Sequence, residues 1–324
     1  MVDSIEISLI VPAYNVENTI ENCINSILGQ TLKNIEVIVV DDASTDSTAE
    51  ILRTIHDERV VLLRQEHLGQ GAARNYGMSK ARGSYIGFVD GDDTVENCMY
   101  EKMLKCAKAN NAEIVQCNIN DIFPDGTSAV QMNVADAVVT KKDAHRYFIK
   151  YFYKNLHSYE VCNKTFRTSF VKSRNLFFES NDLVYAEDLL FNLEAALYLH
   201  RIAFMKEAYY NYFQCADSHS KTYSSAKVKK FCALFSLFFQ KHEDAPRPET
   251  DAVALLILMT NIARTEGEKK EIRALCRRSD IREYIRGSRR CNPRFLHKFF
   301  MNALLYLPMS LRVALIKSHY RIME

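Results

Sequence analysis

Through its first 118 residues the sequence alternates short aliphatic runs with stretches of helical periodicity, and few folds satisfy that alternation. Ile5 to Val11 reads as a strand that Pro12 stops, and Thr19 to Leu28 places Ile20, Ile24, Ile27 and Leu28 at helical spacing. Ile35 to Val40 is a nearly continuous β-branched run, the pattern of a strand buried on both faces. Ser47 and Glu50 have the spacing of a capping box at the start of the next helix. A third strand is predicted from Val60 to Leu63, a helix from Gln70 to Arg82 and a fourth strand from Tyr85 to Val89. Another helix, Val95 to Asn110, and a fifth strand, Glu113 to Cys117, complete the series. This order predicts an α/β fold, a mostly parallel central sheet with helices on both faces. Ligands of such sheets bind beyond the carboxyl ends of the strands. Three polar clusters fall at those ends: Pro12-Ala13-Tyr14-Asn15, Asp41-Asp42 and Asp90-Gly91-Asp92-Asp93.

Beyond residue 118 the pattern loosens. Pro124-Asp125-Gly126 marks a turn, and helical stretches lie near 141–155 and 186–199 with an irregular segment between them. From Ala226 onward the sequence reads as helices alone. The expected organisation is an α/β domain over 1–223, with halves of 1–118 and 119–223, and a C-terminal helical region over 224–324.

Charge and cysteine usage narrow the setting. A net charge of +2 supplies no field for nucleic acid. Nine cysteines, an odd number without a CxxC pair, fit reduced thiols in a cytoplasmic compartment. The first eight residues carry Asp3 and Glu6 and no basic-then-apolar pattern, so no signal peptide is expected. No run reaches the roughly 18 apolar residues of a spanning helix.

The acidic clusters carry the chemistry. Hard cations such as Mn²⁺ or Mg²⁺ take carboxylate oxygens, often only one or two from protein when substrate phosphates complete the shell. Asp90-Gly91-Asp92-Asp93, directly after an apolar strand, suits that task, with Gly91 allowing close backbone approach; Asp-Gly is also a common solvated turn. Asp46 and Ser47 suffice to cap the helix that follows Asp41, which leaves Asp41 to accept a hydrogen bond from a pyrimidine N–H. Gly69-Gln70-Gly71-Ala72-Ala73-Arg74 is a poor dinucleotide fingerprint, because Arg74 stands where a glycine is needed and no strand leads directly into Gly69. Arg74 suits a phosphate instead, the plainer alternative being a surface position on a helix. Glu187 and Asp188 open a predicted helix, where acids stabilise the dipole or, functionally, supply a general base. That position lowers a carboxylate pKa, which weakens a base. The nine histidines form no zinc spacing; His219, in the polar run Asp217-Ser218-His219-Ser220, is the one placed to reach a ligand, though a lone His is more often structural.

Together these residues resemble glycosyltransferase family 2. The resemblance rests on Ser8-Leu-Ile-Val-Pro-Ala-Tyr-Asn15, Val40-Asp-Asp-Ala-Ser-Thr-Asp46, Gly69 with Ala73-Arg-Asn75, Phe88-Val-Asp-Gly-Asp-Asp93 and Glu187-Asp188. It runs from Ile7 to about Ser220. It implies a GT-A fold and an inverting, metal-dependent transfer of sugar from a nucleotide diphosphate, with UDP favoured, to a hydroxyl of a glycan or lipid-linked glycan in surface-polysaccharide assembly. Pro12, Ala13, Tyr14 and Asp41 would hold the nucleotide, Arg74 the diphosphate, and Asp90 with Gly91 the ribose or metal region. Asp92 would ligate Mn²⁺ or Mg²⁺, Asp188 would be the base with Glu187 as alternative or support, and His219 would lie near the diphosphate or metal. One position departs from the pattern: His67 stands where the family often has Asn. An epimerase would need an intact glycine fingerprint and a Tyr-x-x-x-Lys pair, and a nucleotidyltransferase a Gly-rich basic loop after the first strand. The sequence shows neither set. An inactive nucleotide-sugar-binding scaffold would not need Asp92 and Asp188.

The C-terminus lies beyond the resemblance. Between Tyr284 and Met323 there is no Asp or Glu, while Arg286, Arg289, Arg290, Arg294, Lys298, Arg312, Lys317 and Arg321 flank the apolar stretch Phe299 to Leu307. Basic residues around an aromatic and aliphatic face suit an interfacial helix on the inner, anionic face of a membrane. The same face also suits packing on the catalytic domain or on a second subunit of a homodimer. Flotation with anionic liposomes separates the two. A peripheral anchor binds at low salt and releases at high salt or on truncation after Tyr284, whereas packing gives no flotation at either salt.

Overall fold

The computed structural model describes residues 4–131, 134–140, 159–214, 224–245, 247–264 and 279–288. The helix expected near 141–155, His219, and the basic segment beyond residue 288 lie outside these residues. The chain divides into two compact units, one of residues 1–145, 157–181 and 187–216, the other of 146–156, 182–186 and 217–324.

The first unit opens as the sequence predicts. Strand β1 (Ile7–Ala13), helix α1 (Ile20–Leu28), strand β2 (Ile35–Asp41), helix α2 (Thr48–Thr54), strand β3 (Val60–Arg64), helix α3 (Gln70–Lys80) and strand β4 (Tyr85–Phe88) follow in order. Every residue of β1, β2 and β4 is buried, as a sheet covered on both faces requires. β3, β2, β1 and β4 pair in parallel, with Ala13 in register with Asp41. The carboxyl ends of β1, β2 and β4 therefore stand side by side.

The remaining strands extend this core as a mixed sheet. After the short strand β5 (Thr94–Val95) and helix α4 (Met99–Asn110) come strands β6 (Ile114–Ile122), β7 (Ser128–Val130) and β8 (Ala137–Thr140). The Pro124-Asp125-Gly126 turn closes the β6–β7 hairpin. The stretch read as irregular contains strand β9 (Lys164–Arg167) and helix α5 (Thr168–Ser173). β9 lies antiparallel between β4 and β6, so β6 runs in the direction of β1. Helix α6 (Glu187–Tyr198) precedes strand β10 (Arg201–Phe213), which pairs in parallel with β6 and antiparallel with β5 and β8. The sheet order is β3-β2-β1-β4-β9-β6-β10-β5, with β7 and β8 at its margin. The capping box is corrected. Ser47 occupies the N-cap of α2 without a side-chain bond, and Asp46 Oδ1 accepts from Thr48 N at 3.0 Å instead.

Three phenylalanines support the strand ends. Phe178 and Phe191 stack at 4.3 Å, and Phe88 meets both edge-on at 5.3 and 6.2 Å. This cluster packs the strand that leads into Asp90 against the helix that begins with Glu187. In the second unit, helices α7 (Ser225–Lys241), α8 (Arg247–Arg264) and α9 (Ser279–Ser288) bury Phe231, Phe235, Phe238 and Leu258, with Tyr284 of α9 beside Phe235. Among the described residues no helix is long and apolar enough to cross a membrane.

Gly77 shows how tightly α3 rests on the sheet. A Cβ there would sit 2.5 Å from Ile10 Cγ2 of β1. Gly→Ala inside a helix normally gains up to about 1 kcal/mol, but overpacking a core costs about 1–3 kcal/mol. Ile10 is fully buried and β-branched, so overpacking wins. Gly77→Ala is expected to lower the denaturation midpoint, whereas an exposed helical site would show a rise.

Candidate active site

Arg74 lies at the centre of the strand-end clusters. It is carried on α3 and is only 3% exposed, so it is no surface side chain. Its Nη2 donates to Asp90 Oδ1 and its Nη1 to Glu187 Oε1, both at 2.8 Å, and its guanidinium lies over the Phe178 ring. Burial disfavours the charged guanidinium, but Asp90 and Glu187 outweigh it and hold the group firmly protonated. The same glycine-rich stretch explains itself in this packing. A Cβ on Gly71 would lie 2.9 Å from Glu179 O and 3.2 Å from Glu187 Cγ, so the glycine makes room for protein. Gly69, at φ +89, starts the helix.

Each acid of the Asp90 cluster has a different environment. Asp90 Oδ1 also accepts from Gln70 Nε2 at 2.8 Å. Asp93 is buried; its Oδ2 accepts from Tyr210 Oη at 2.7 Å and its Oδ1 from Phe213 N at 3.0 Å. Tyr210 Oη in turn accepts from Asp90 N at 3.1 Å, so β10 is fastened to the cluster twice. Asp92 reaches solvent, and among the described residues no other residue hydrogen-bonds or ion-pairs with its carboxylate. Desolvation by the surrounding protein, and then the Asp90 charge, push its pKa up. Gly91 fits closely against Val16 and the Pro12 carbonyl, and its own carbonyl accepts from Thr19 Oγ1 at 3.0 Å.

The Glu187-Asp188 pair separates into a buried and a reachable acid. Both Glu187 oxygens are engaged, Oε1 by Arg74 and Oε2 by Asn181 Nδ2 at 2.6 Å. Asp188 Oδ1 accepts from Leu189 N at 2.8 Å. Desolvation, reinforced by the Glu187 charge, raises the Asp188 pKa to about 7. The lowering expected at a helix N-terminus is overcome. Nearby on β9, the fully buried Lys164 donates to Asn163 Oδ1 and to the Glu160 carbonyl, and Asn192 Nδ2 bridges the Tyr159 and Asp188 carbonyls.

At the ends of β1 and β2, Pro12 and Ala13 are buried in the sheet and Tyr14 is 42% exposed. Asp41 Oδ1 accepts from Ser44 N at 2.9 Å, a local bond that the sequence did not suggest. Its buried Oδ2 has no hydrogen bond, and Arg64 Nε approaches it at 3.4 Å. Asp42 organises the following loop, accepting from Gln65 Nε2, Leu68 N and Gly69 N at 2.6 to 3.0 Å. Asn15, at φ 52, accepts from Thr45 N at 2.8 Å and ties the first two clusters together. Asn15, Asp42 and Gln70 were read only as members of motifs, without a role, and Asn181 and Tyr210 were not read at all; the bonds of Asn15, Gln70 and Tyr210 span 20 to 120 positions.

The chain is similar to known proteins in sequence and in fold. Residues 8–174 match the model of the family described as Glycosyl transferase family 2. EpsJ of Bacillus subtilis, an uncharacterized glycosyltransferase, is 36% identical over 65% of this chain and 62% of its own length, so the chain spans less than two thirds of that relative. The putative glycosyltransferase EpsH of the same organism is 30% identical over 82% of this chain and 79% of its own length. A crystal structure of Staphylococcus aureus TarS residues 1–349 with UDP-GlcNAc superposes with a TM-score of 0.72 at 21% identity, covering 98% of this chain and 92% of that fragment. That likeness establishes the GT-A α/β architecture with its C-terminal helical region. With the strand-end carboxylates, the buried Arg74 and the family match over more than half its length, the chain belongs to glycosyltransferase family 2, a family of transferase enzymes.

Proposed function

We propose that this chain transfers a sugar from a UDP-sugar to a hydroxyl of a glycan or lipid-linked glycan, with inversion and with Mn²⁺ or Mg²⁺, in surface-polysaccharide assembly at the inner face of the membrane. The observation that carries this reading is the Arg74 tie, which brings the Asp90 cluster and the Glu187-Asp188 helix to one sheet edge. The TarS structures hold UDP-GlcNAc and UDP, and ExoO of Rhizobium meliloti, 29% identical over 73% of this chain, is a succinoglycan biosynthesis protein. Both support the donor class and the pathway type.

The donor set fits a divalent cation. Asp92 has no ion-pair partner among the described residues, and desolvation, then the Asp90 charge, raises its pKa. Among the described residues no group of three or more His, Cys, Asp or Glu could hold a metal. Asp92 and Asp90 would therefore supply one or two oxygens and the diphosphate the rest. The ion, when bound, neutralises charge on the departing diphosphate. Asp41 Oδ2 accepts from the ring N–H of uracil, Pro12, Ala13 and Tyr14 line the nucleotide edge, and Arg74 positions Asp90 and Glu187. Asp188 removes the acceptor hydroxyl proton as that oxygen attacks the anomeric carbon. The carbon–oxygen bond to the diphosphate breaks with its electron pair leaving on UDP, and a single displacement inverts the centre.

Asp188→Asn is expected to bind UDP as wild type does and to lose about two to four orders of magnitude in rate. Asp92→Asn should abolish turnover without lowering the melting temperature, since the raised pKa of this carboxyl makes its charged form no help to the fold. Full activity in EDTA refutes the metal assignment, and a retained anomeric configuration by NMR refutes the single displacement.

The raised pKa of Asp188 also has a stability consequence. The folded state holds a proton up to about pH 7, whereas the unfolded carboxyl releases it near its usual value of about 3.9. The native state therefore binds more protons between those values, and stability falls as pH rises through that window. Asp188→Asn is expected to melt higher than wild type at pH 8, with the gap closing below pH 4. Equal melting temperatures at pH 8 contradict the shift.

A further inference from the structure

We propose that Lys164, a buried amine that the reaction above does not use, is a positioning residue for the base: together with Asn192 it fixes the first turn of α6, and with it Asp188. The inference rests on Asp188 being the base and adds what holds that carboxyl in place. Lys164 opens β9, between β4 and β6, and is fully buried. Its Nζ donates to Asn163 Oδ1 at 2.9 Å and to the Glu160 carbonyl. The preceding carbonyl, that of Tyr159, accepts from Asn192 Nδ2 at 2.7 Å, and the same amide donates to the Asp188 carbonyl at 3.0 Å. Asn192 lies one turn after Asp188 on α6 and is itself fully buried. The other end of the segment is fixed to β6. Asn163 Nδ2 donates to the Cys117 carbonyl at 2.8 Å, and the Asn163 carbonyl accepts from Cys117 N at 3.0 Å. A path of hydrogen bonds thus runs from an amine on a central strand to the turn that carries the base. Burial pushes the Lys164 pKa down, while Glu160 and, behind it, Asp188 push it up, so amine and base share one electrostatic neighbourhood.

A role in the fold alone explains less. A buried charge carries a desolvation cost that an apolar side chain of similar length avoids, so stability by itself favours methionine at this position. The strand does not need the amine either, since its backbone pairs with β4 on one side and β6 on the other. What methionine cannot supply is a donor to the segment tied to α6. Two measurements on the full chain with Mn²⁺ test the assignment: UDP release from UDP-GlcNAc, UDP-glucose or UDP-galactose with water as acceptor, and calorimetry with UDP. Lys164→Met should lose about a hundredfold in kcat, the scale of a misplacement by an ångström, yet bind UDP within about threefold of wild type. In an Asp188→Asn background the same substitution should cost less than about threefold, because no base is left to position. Asn192→Ala cuts the same path at its other end and should behave alike, so it carries the test if Lys164→Met does not fold. Wild-type kcat in either folded variant, UDP binding weakened as much as kcat, or the full loss repeated on top of Asp188→Asn overturns the proposal. If Asp188→Asn is as active as wild type, the base reading falls first and this inference with it. If wild type releases no UDP from any of the donors, the donor reading falls, again taking the inference with it.

Discussion

A guanidinium that is 3% exposed survives in a protein interior only when its charge is met, and at Arg74 two carboxylates from distant parts of the chain meet it. Asp90 comes from the end of β4 and Glu187 from the start of α6, 97 positions later. With both acids withdrawn the guanidinium would be a buried charge without a partner; with either one withdrawn it keeps the other and loses one charge-assisted hydrogen bond. The tie also explains the local sequence. Gly71 is small because Glu187 and the Glu179 carbonyl press against it, and Asn181 completes the second oxygen of Glu187.

Once Asp90 is fixed, the rest of the sheet edge follows. Tyr210 Oη bonds both to Asp90 N and to Asp93, and Phe213 N bonds to Asp93, so the last turn of the acidic cluster and the end of β10 form one unit. The Phe88, Phe178 and Phe191 rings give these polar bonds an apolar floor. Hydrogen bonds above such a floor are shielded from competing water, which strengthens them. Asp92, in contrast, takes no part in this network and remains available for a ligand.

The parallel core was legible because its strands are buried on both faces and so carry nearly continuous apolar runs. Ile35 to Val40 and Tyr85 to Val89 announce themselves in this way. β9 was not, since Lys164-Thr165-Phe166-Arg167 mixes a lysine and a threonine, both buried, into a central strand. Lys164 is tolerated there because Asn163 and the Glu160 carbonyl receive its protons, a solution no periodicity reveals. The acids of the candidate site were legible by their place at strand ends, but their division of labour was not. Whether Glu187 or Asp188 is spent on Arg74 depends on which face of α6 meets α3, and that is a tertiary fact. Similarly, Asp41 and Asp42 look alike in sequence, yet one retains an unbonded oxygen and the other is consumed in holding the 65–69 loop.

The distribution of charge links the two halves of the proposed reaction. Asp90, Asp92, Asp93, Glu187 and Asp188 crowd around a single guanidinium, so negative charge exceeds positive. Arg74 lowers the pKa of Asp92 and Asp188 but does not offset their burial. Desolvation and neighbouring carboxylates raise the pKa of Asp92, Asp93 and Asp188, and Asp90 is among the groups that raise Asp188. A carboxyl near 7 is a stronger base than one near 4, so burial first, and then the neighbouring carboxylates, give Asp188 its proton affinity.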